Sequence, residues 1–190
     1  MPAFTRNFGL RPVRQLTGAP FNGQVNTYAT AATDNTALNV GDLVTATGEA
    51  AADGTPIVTR ASSNTAAHRG VVVGFVADPD NLNTPQFRPA ASTRRVLVAD
   101  SRDTIFAVQA NAAFAVANVG LNIGLAFGSP ATTGGGGSVM LADTALAATT
   151  ATHPLRVIGV STEIDNAPGD ARPVLLVLLN NHDLTGTTGA

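Results

Sequence analysis

The chain has 190 residues, 13% of them charged, a formal net charge of −2, and neither cysteine nor tryptophan. Disulfides and thiolate metal sites are therefore excluded, and with no polybasic block, nucleic acid is not an expected partner. The length suits one domain with a sizeable core, but much of the 44% hydrophobic content is alanine and aromatics make up only 5%. Alanine removes little apolar area from water, so oligomerisation or docking on a larger surface is expected to add stability.

Residues 1–27 read as an extended N-terminal arm. Pro2, Pro12 and Pro20 with Gly9, Gly18 and Gly23 interrupt regular structure. The first residues hold no apolar h-region, so no secretory signal is expected. The arm carries Arg6, Arg11 and Arg14, and no acidic residue precedes Asp34. This charge asymmetry is a docking signal. Strand candidates then recur between turn residues: Ala37–Val40, Leu43–Ala46, Ile57–Thr59, Gly70–Val76, Arg95–Ala99 and Thr104–Val108. A short helical turn capped by Asn111 is expected around Ala112–Asn118. Leu121–Phe127 and Ser138–Leu141 read as a further strand pair, joined by a loop containing Gly134–Gly137. The ending is the clearest signal. Pro154–Val160 and Val174–Leu179 flank Asn166-Ala-Pro-Gly-Asp170, which reads as a β-hairpin. Residues 28–184 are thus expected to form a single all-β domain, a β-barrel or β-sandwich with little helix, followed by a polar tail over 185–190. Val174–Leu179 is the longest strongly apolar run, far short of the roughly 20 residues of a spanning helix. A soluble protein without a membrane partner is expected.

Candidate chemistry is sparse. The carboxylate pairs Asp78/Asp80, Asp100/Asp103 and Asp165/Asp170 all lie beside turn residues, where aspartate makes local hydrogen bonds. Asp78–Pro89 fails as a calcium loop, because Leu82 and Pro89 occupy positions that need oxygen ligands. His68, His153 and His182 are widely separated and match no zinc spacing; structural or solvent-facing roles are expected. There is no G-x-S-x-G elbow, and the tetraglycine lacks the Gly-Lys-Ser/Thr of a phosphate loop. No catalytic, cofactor-binding or metal-binding residue is assigned, and an enzyme is not expected.

Leu10-Arg-Pro-Val-Arg14, Gly18-Ala-Pro-Phe-Asn22, Gly41-Asp-Leu-Val44, Gly70-Val-Val-Val-Gly-Phe75, Pro154-Leu-Arg-Val-Ile-Gly159 and Asn180-Asn-His182 follow one another along the chain. In that order they resemble a family of tailed-bacteriophage capsid decoration, or cement, proteins. The resemblance implies a structural virion protein, made in the host cytoplasm, that binds the outside of the capsid and stabilises the shell. It implies the major capsid protein as partner and a homo-oligomer on a capsid symmetry axis, with a trimer ahead of a dimer. Arg6, Arg11 and Arg14 are then the expected capsid-binding residues, forking onto carboxylates. The alternatives are another virion component, such as a head-fibre or tail-associated β protein, and a carbohydrate-binding module.

Overall fold

In a computed structural model, which describes residues 8–81, 83–130, 132 and 137–185, the terminal hairpin forms as its pattern requires. β10 (Leu155–Val160) pairs antiparallel with β11 (Val174–Leu179), in register from Leu155↔Leu179 to Val160↔Leu175, with a bulge between Val157 and Gly159. β11 is apolar at every position because it is central. Its other edge pairs with β7 (Thr104–Gln109), all six residues of which are buried. A strand covered on both faces needs no polar alternation.

β7 pairs in turn with β1 (Leu10–Gln15), and β10 pairs with β8 (Asn122–Ala126), which pairs with β9 (Leu141–Ala148). The result is a six-stranded sheet in the order β1-β7-β11-β10-β8-β9. The remaining strands are β2 (Asn26–Ala29), β3 (Leu43–Ala50), β4 (Pro56–Arg60), β5 (Gly70–Phe75) and β6 (Arg95–Ala99). They close into a barrel in the order β2-β4-β3-β5-β6. The expected all-β class is therefore correct, as a barrel and a sheet joined in one fold.

What joins them is the period of two in a strand. Leu43/Val44, Val71/Val72 and Val98/Ala99 are consecutive pairs that point to opposite faces. Val44, Val72 and Val98 enter the barrel beside Tyr28, Leu38, Val58 and Val96. Leu43, Val71 and Ala99 face outward into a second core with Phe106, Val108, Ile123, Leu155 and Leu175 of the sheet. Small residues allow the close approach. A Cβ at Gly70 would lie 2.5 Å from the Ala99 carbonyl oxygen and 2.7 Å from Val98 Cγ1.

At the edges of the six-stranded sheet the chain itself lies along β1 and along the first half of β9. Along β1, Leu10 N–H donates to Gly41 O, Gln15 N–H donates to Ala19 O, and Val13 O accepts from Phe21 N–H. Pro12 offers no donor. Along β9, Ala142 O accepts from Asn111 N–H, and Thr144 N–H donates to Asn111 Oδ1.

Four sequence expectations change. The segment expected as an extended arm supplies β1, a strand of the sheet with Leu10 buried, and β2 begins before residue 28. Ala37–Val40 contributes only a single bridge, Leu38↔Arg88. The strand expected at Ser138–Leu141 runs instead over Leu141–Ala148, where alanine-rich sequence hid a bulged strand. The helical turn shrinks to one 3₁₀ turn at Val116–Asn118, and its N-cap is Ala115 with no side-chain bond. Asn111 instead bonds Asp143 and Thr144. The tail over 186–190 and Gly134–Gly136 of the tetraglycine lie outside the described residues.

Candidate functional site

A group of ionisable side chains lies where the barrel meets the segment after β11. Asp100, at the end of β6, accepts from Tyr28 Oη at 2.5 Å and from Asn26 Nδ2 at 2.9 and 3.0 Å. Arg69 Nε donates to both oxygens of Asp183 at 2.9 and 2.7 Å, and its guanidinium lies over the Tyr28 ring at 5.5 Å. Burial pushes the Tyr28 phenol up to about 12, so it stays a protonated donor.

His68 and His182 meet here in a parallel bridge, although 114 positions apart. His182 Nδ1 accepts from Leu184 N–H at 3.2 Å, so the proton sits on Nε2, which donates to Asp100 O at 2.9 Å. The neighbouring Asp183 carboxylate, 3.6 Å from Nδ1, therefore faces a neutral imidazole rather than an ion-pair partner. His68 is fully buried, with Nδ1 3.2 Å from Thr45 Oγ1 and Nε2 without a hydrogen-bond partner. Burial, and secondarily His182, lowers its pKa to about 4.

Two further ties reinforce the body. Asp42 accepts from Arg60 Nε at 3.2 Å, Asn39 N–H at 2.8 Å and Ser138 Oγ at 2.6 Å, while Arg60 also donates to the Phe127 carbonyl. Burial raises the Asp42 pKa against the pull of these donors. Arg88, with no exposed surface, donates to the carbonyls of Ser92, Thr36, Ala31 and Asp34 at 2.5–2.8 Å. One guanidinium thus holds two irregular loops, because its five donors satisfy several carbonyls at once.

Asparagines act as backbone surrogates where strands stop. β10 begins at Leu155, opposite Ile123, so Leu125 lies beyond its reach. Asn64 takes that place, accepting from Leu125 N–H at 2.6 Å and donating to Leu125 O at 3.0 Å. Asn166 does the same at Val174, accepting at 2.7 Å and donating at 3.1 Å.

A cavity of about 670 Å³ opens on the barrel. Its apolar wall includes Ala51, Val76, Ala77, Pro79 and Pro85, and its charged lining is Arg94, Arg95 and Asp78. Arg94 braces the site, donating to the carbonyls of Pro85, Phe87 and Val76. Ala91 sits close by with φ +54, a left-handed conformation that non-glycine residues adopt only when their surroundings impose it.

The sequence-derived candidates are dispersed. Arg6 lies outside the described residues. Arg11, on β1, is exposed, donates to Glu163 Oε1 at 2.7 Å and lies over the Phe8 ring. Arg14 is half-buried on the same strand. Asp78 and Asp170 make the expected local turn bonds, to Asp80 N–H and Ala167 N–H. Asp100 does not; it joins the junction instead. Its side-chain partners Asn26 and Tyr28 both lie on β2, 74 and 72 positions away in the chain, so no local motif reveals the cluster. Among the described residues no group of three or more His, Cys, Asp or Glu is placed to hold a metal ion.

Comparison with known proteins returns no matching family model, no matching curated protein and no matching solved structure.

Proposed function

We propose that this protein is a structural virion component, a phage capsid decoration protein that binds the outside of the shell and stabilises it as a homo-oligomer. The observation that carries a structural role is the placement of Arg60, Arg69 and Arg88. All three are directed inward, tying loops and strands into one body. A protein that braces a shell needs a body that transmits load rather than yields. The link to a phage capsid comes from the ordered sequence resemblance described above.

The capsid-facing residues in this reading are Arg6, Arg11 and Arg14. Arg11 presents a guanidinium on the exposed side of β1, held by Glu163, an arrangement suited to further carboxylates. Because β1 belongs to the sheet, removal of residues 1–20 would strip an edge strand, so point variants are the sound test. Several weak contacts per oligomer add up on a lattice. The decisive experiment incubates the protein with assembled capsids, measures sedimentation with them, and heats the capsids with and without it. Saturable binding with a raised disruption temperature supports the reading. Absence of binding to both immature and mature capsids refutes it.

A further inference from the structure

We infer that the outer face of the six-stranded sheet is a docking surface for a carboxylate-bearing protein, which in the proposed function is the capsid exterior. The strand register lays this face out. On β7 and β11, Phe106, Val108, Leu175 and Val177 turn inward to the core shared with the barrel. Their neighbours Ile105, Ala107, Leu176 and Leu178 therefore turn outward. Residues directly opposite in an antiparallel ladder share a face. Arg14, Ile105, Leu178 and Arg156 lie opposite one another across β1, β7, β11 and β10 and form one row. Arg11, Ala107, Leu176 and Gly159 form the next. In the first row the two arginines stand three strand spacings apart, roughly 14 Å, with apolar side chains between them.

The rows are open and charged. Arg156 is exposed, and Arg14, Leu176 and Leu178 are half-buried. A Cβ added at Gly159 would meet no atom within 4 Å. Among the described residues, Arg14 and Arg156 have no ion-pair partner, whereas Arg60, Arg69 and Arg88 are engaged inside the body. Glu163 is the carboxylate that reaches these rows, and Arg11 neutralises it. With that pair counted, Arg14 and Arg156 leave the two rows with uncompensated positive charge, although the chain as a whole is net −2. Arginines beside an apolar centre have the composition of a protein interface. Their stems can lie along the leucines while the guanidinium groups fork onto carboxylates. The leucines between them suit an apolar side chain and not a phosphate backbone. The occupant is therefore a protein surface with carboxylates on either side of an apolar residue. The inference rests on the proposed function for the identity of that partner, and it extends the docking face from β1 across to β10.

The test is sedimentation with assembled capsids, using variants of matched charge. Arg14→Gln, Arg156→Gln and Ala52→Glu each lower the net charge by one. Ala52 is exposed on the turn between β3 and β4 of the barrel and serves as the control. Gly159→Phe keeps every charge and sets a ring over the middle of the face; Gly159 lies outside the left-handed region, so its backbone accepts a side chain. Arg14→Gln, Arg156→Gln and Gly159→Phe should each bind at least about tenfold more weakly than the wild type, the scale of one charge-assisted hydrogen bond. Ala52→Glu should bind like the wild type. Circular dichroism and thermal melting check that each variant is folded, and Arg156→Gln, at an exposed side chain, is the one least able to disturb the body. If the wild type binds and Arg156→Gln binds equally well, the inference is overturned while the proposed function stands. A loss confined to Arg14→Gln, or an equal loss in Ala52→Glu, overturns it too. A wild type that binds no capsid refutes the proposed function, and the inference falls with it.

Discussion

Acid should unfasten this protein through His68 first. The side chain is fully buried and its Nε2 has no partner, so protonation places a charge where nothing receives it. Its pKa falls from 6.5 to about 4 on folding. Between these values the unfolded chain binds the proton and the native chain does not, so stability is lost as pH falls from about 6.5 towards 4. For this one group the loss at pH 5 relative to pH 7 is about 2 kcal/mol, approaching roughly 3 kcal/mol below pH 4. His182, whose pKa is also lowered by burial, adds a loss of the same sign. The other charges at the junction, Arg69, Asp100 and Asp183, are already engaged with one another and with Tyr28. The assay is urea unfolding at pH 7 and pH 5 for the wild type and His68→Gln. The substitution costs stability at both pH values, but the difference between them should shrink by about 2 kcal/mol. Equal pH differences in the two proteins would show that His68 does not titrate as its burial dictates.

Substitutions at Arg88, Asn64, Arg11 and Arg14 probe the ties and the docking face. Arg88→Ala should cost about 3 kcal/mol or more by urea unfolding, since it strands several buried carbonyls; Arg88→Lys should recover little, because three donors on one ammonium cannot reach two loops. Asn64→Asp keeps the acceptor for Leu125 N–H but turns an oxygen towards Leu125 O, and a loss of about 1–3 kcal/mol is expected at pH 7, measured by thermal melting. Arg11→Ala removes an exposed ion pair and should change stability by less than about 1 kcal/mol, while weakening capsid sedimentation; unchanged sedimentation for both Arg11→Ala and Arg14→Ala would remove β1 from the docking face.

The parts of the fold that were legible in the sequence are those where one strand carries its own signal. Val174–Leu179 and Ile105–Val108 are apolar without interruption because they lie inside the sheet. Leu43/Val44 and Val71/Val72 were legible as strands, but not as the joint between barrel and sheet, since an apolar doublet does not say which face meets which core. β1 was hidden by Pro12 and by flanking glycines, which a protected edge tolerates and a sequence reading takes for an arm. β9 was hidden by alanine, which has low strand propensity, and is held by Asn111 and by pairing with β8. The junction of Tyr28, His68, Arg69, Asp100 and His182 was illegible altogether. Its members come from four separate segments, at residues 28, 68–69, 100 and 182, which meet only where the barrel and the His68–His182 bridge bring them together.

The occupied flanks of β1 and β9 bear on how densely this protein can be crowded. An open strand edge is a template on which a neighbour can add its own strand, the usual route to fibrils and amorphous precipitate. Here the outer hydrogen-bonding groups of β1 are taken by Gly41, Ala19 and Phe21, and Asn111 lies along β9. The other sheet closes on itself. Along β1, the barrel and the first half of β9, neighbouring copies packed at high local concentration therefore meet through side chains. Contacts of that kind are specific, reversible and adjustable one residue at a time, whereas a shared backbone ladder would be none of these.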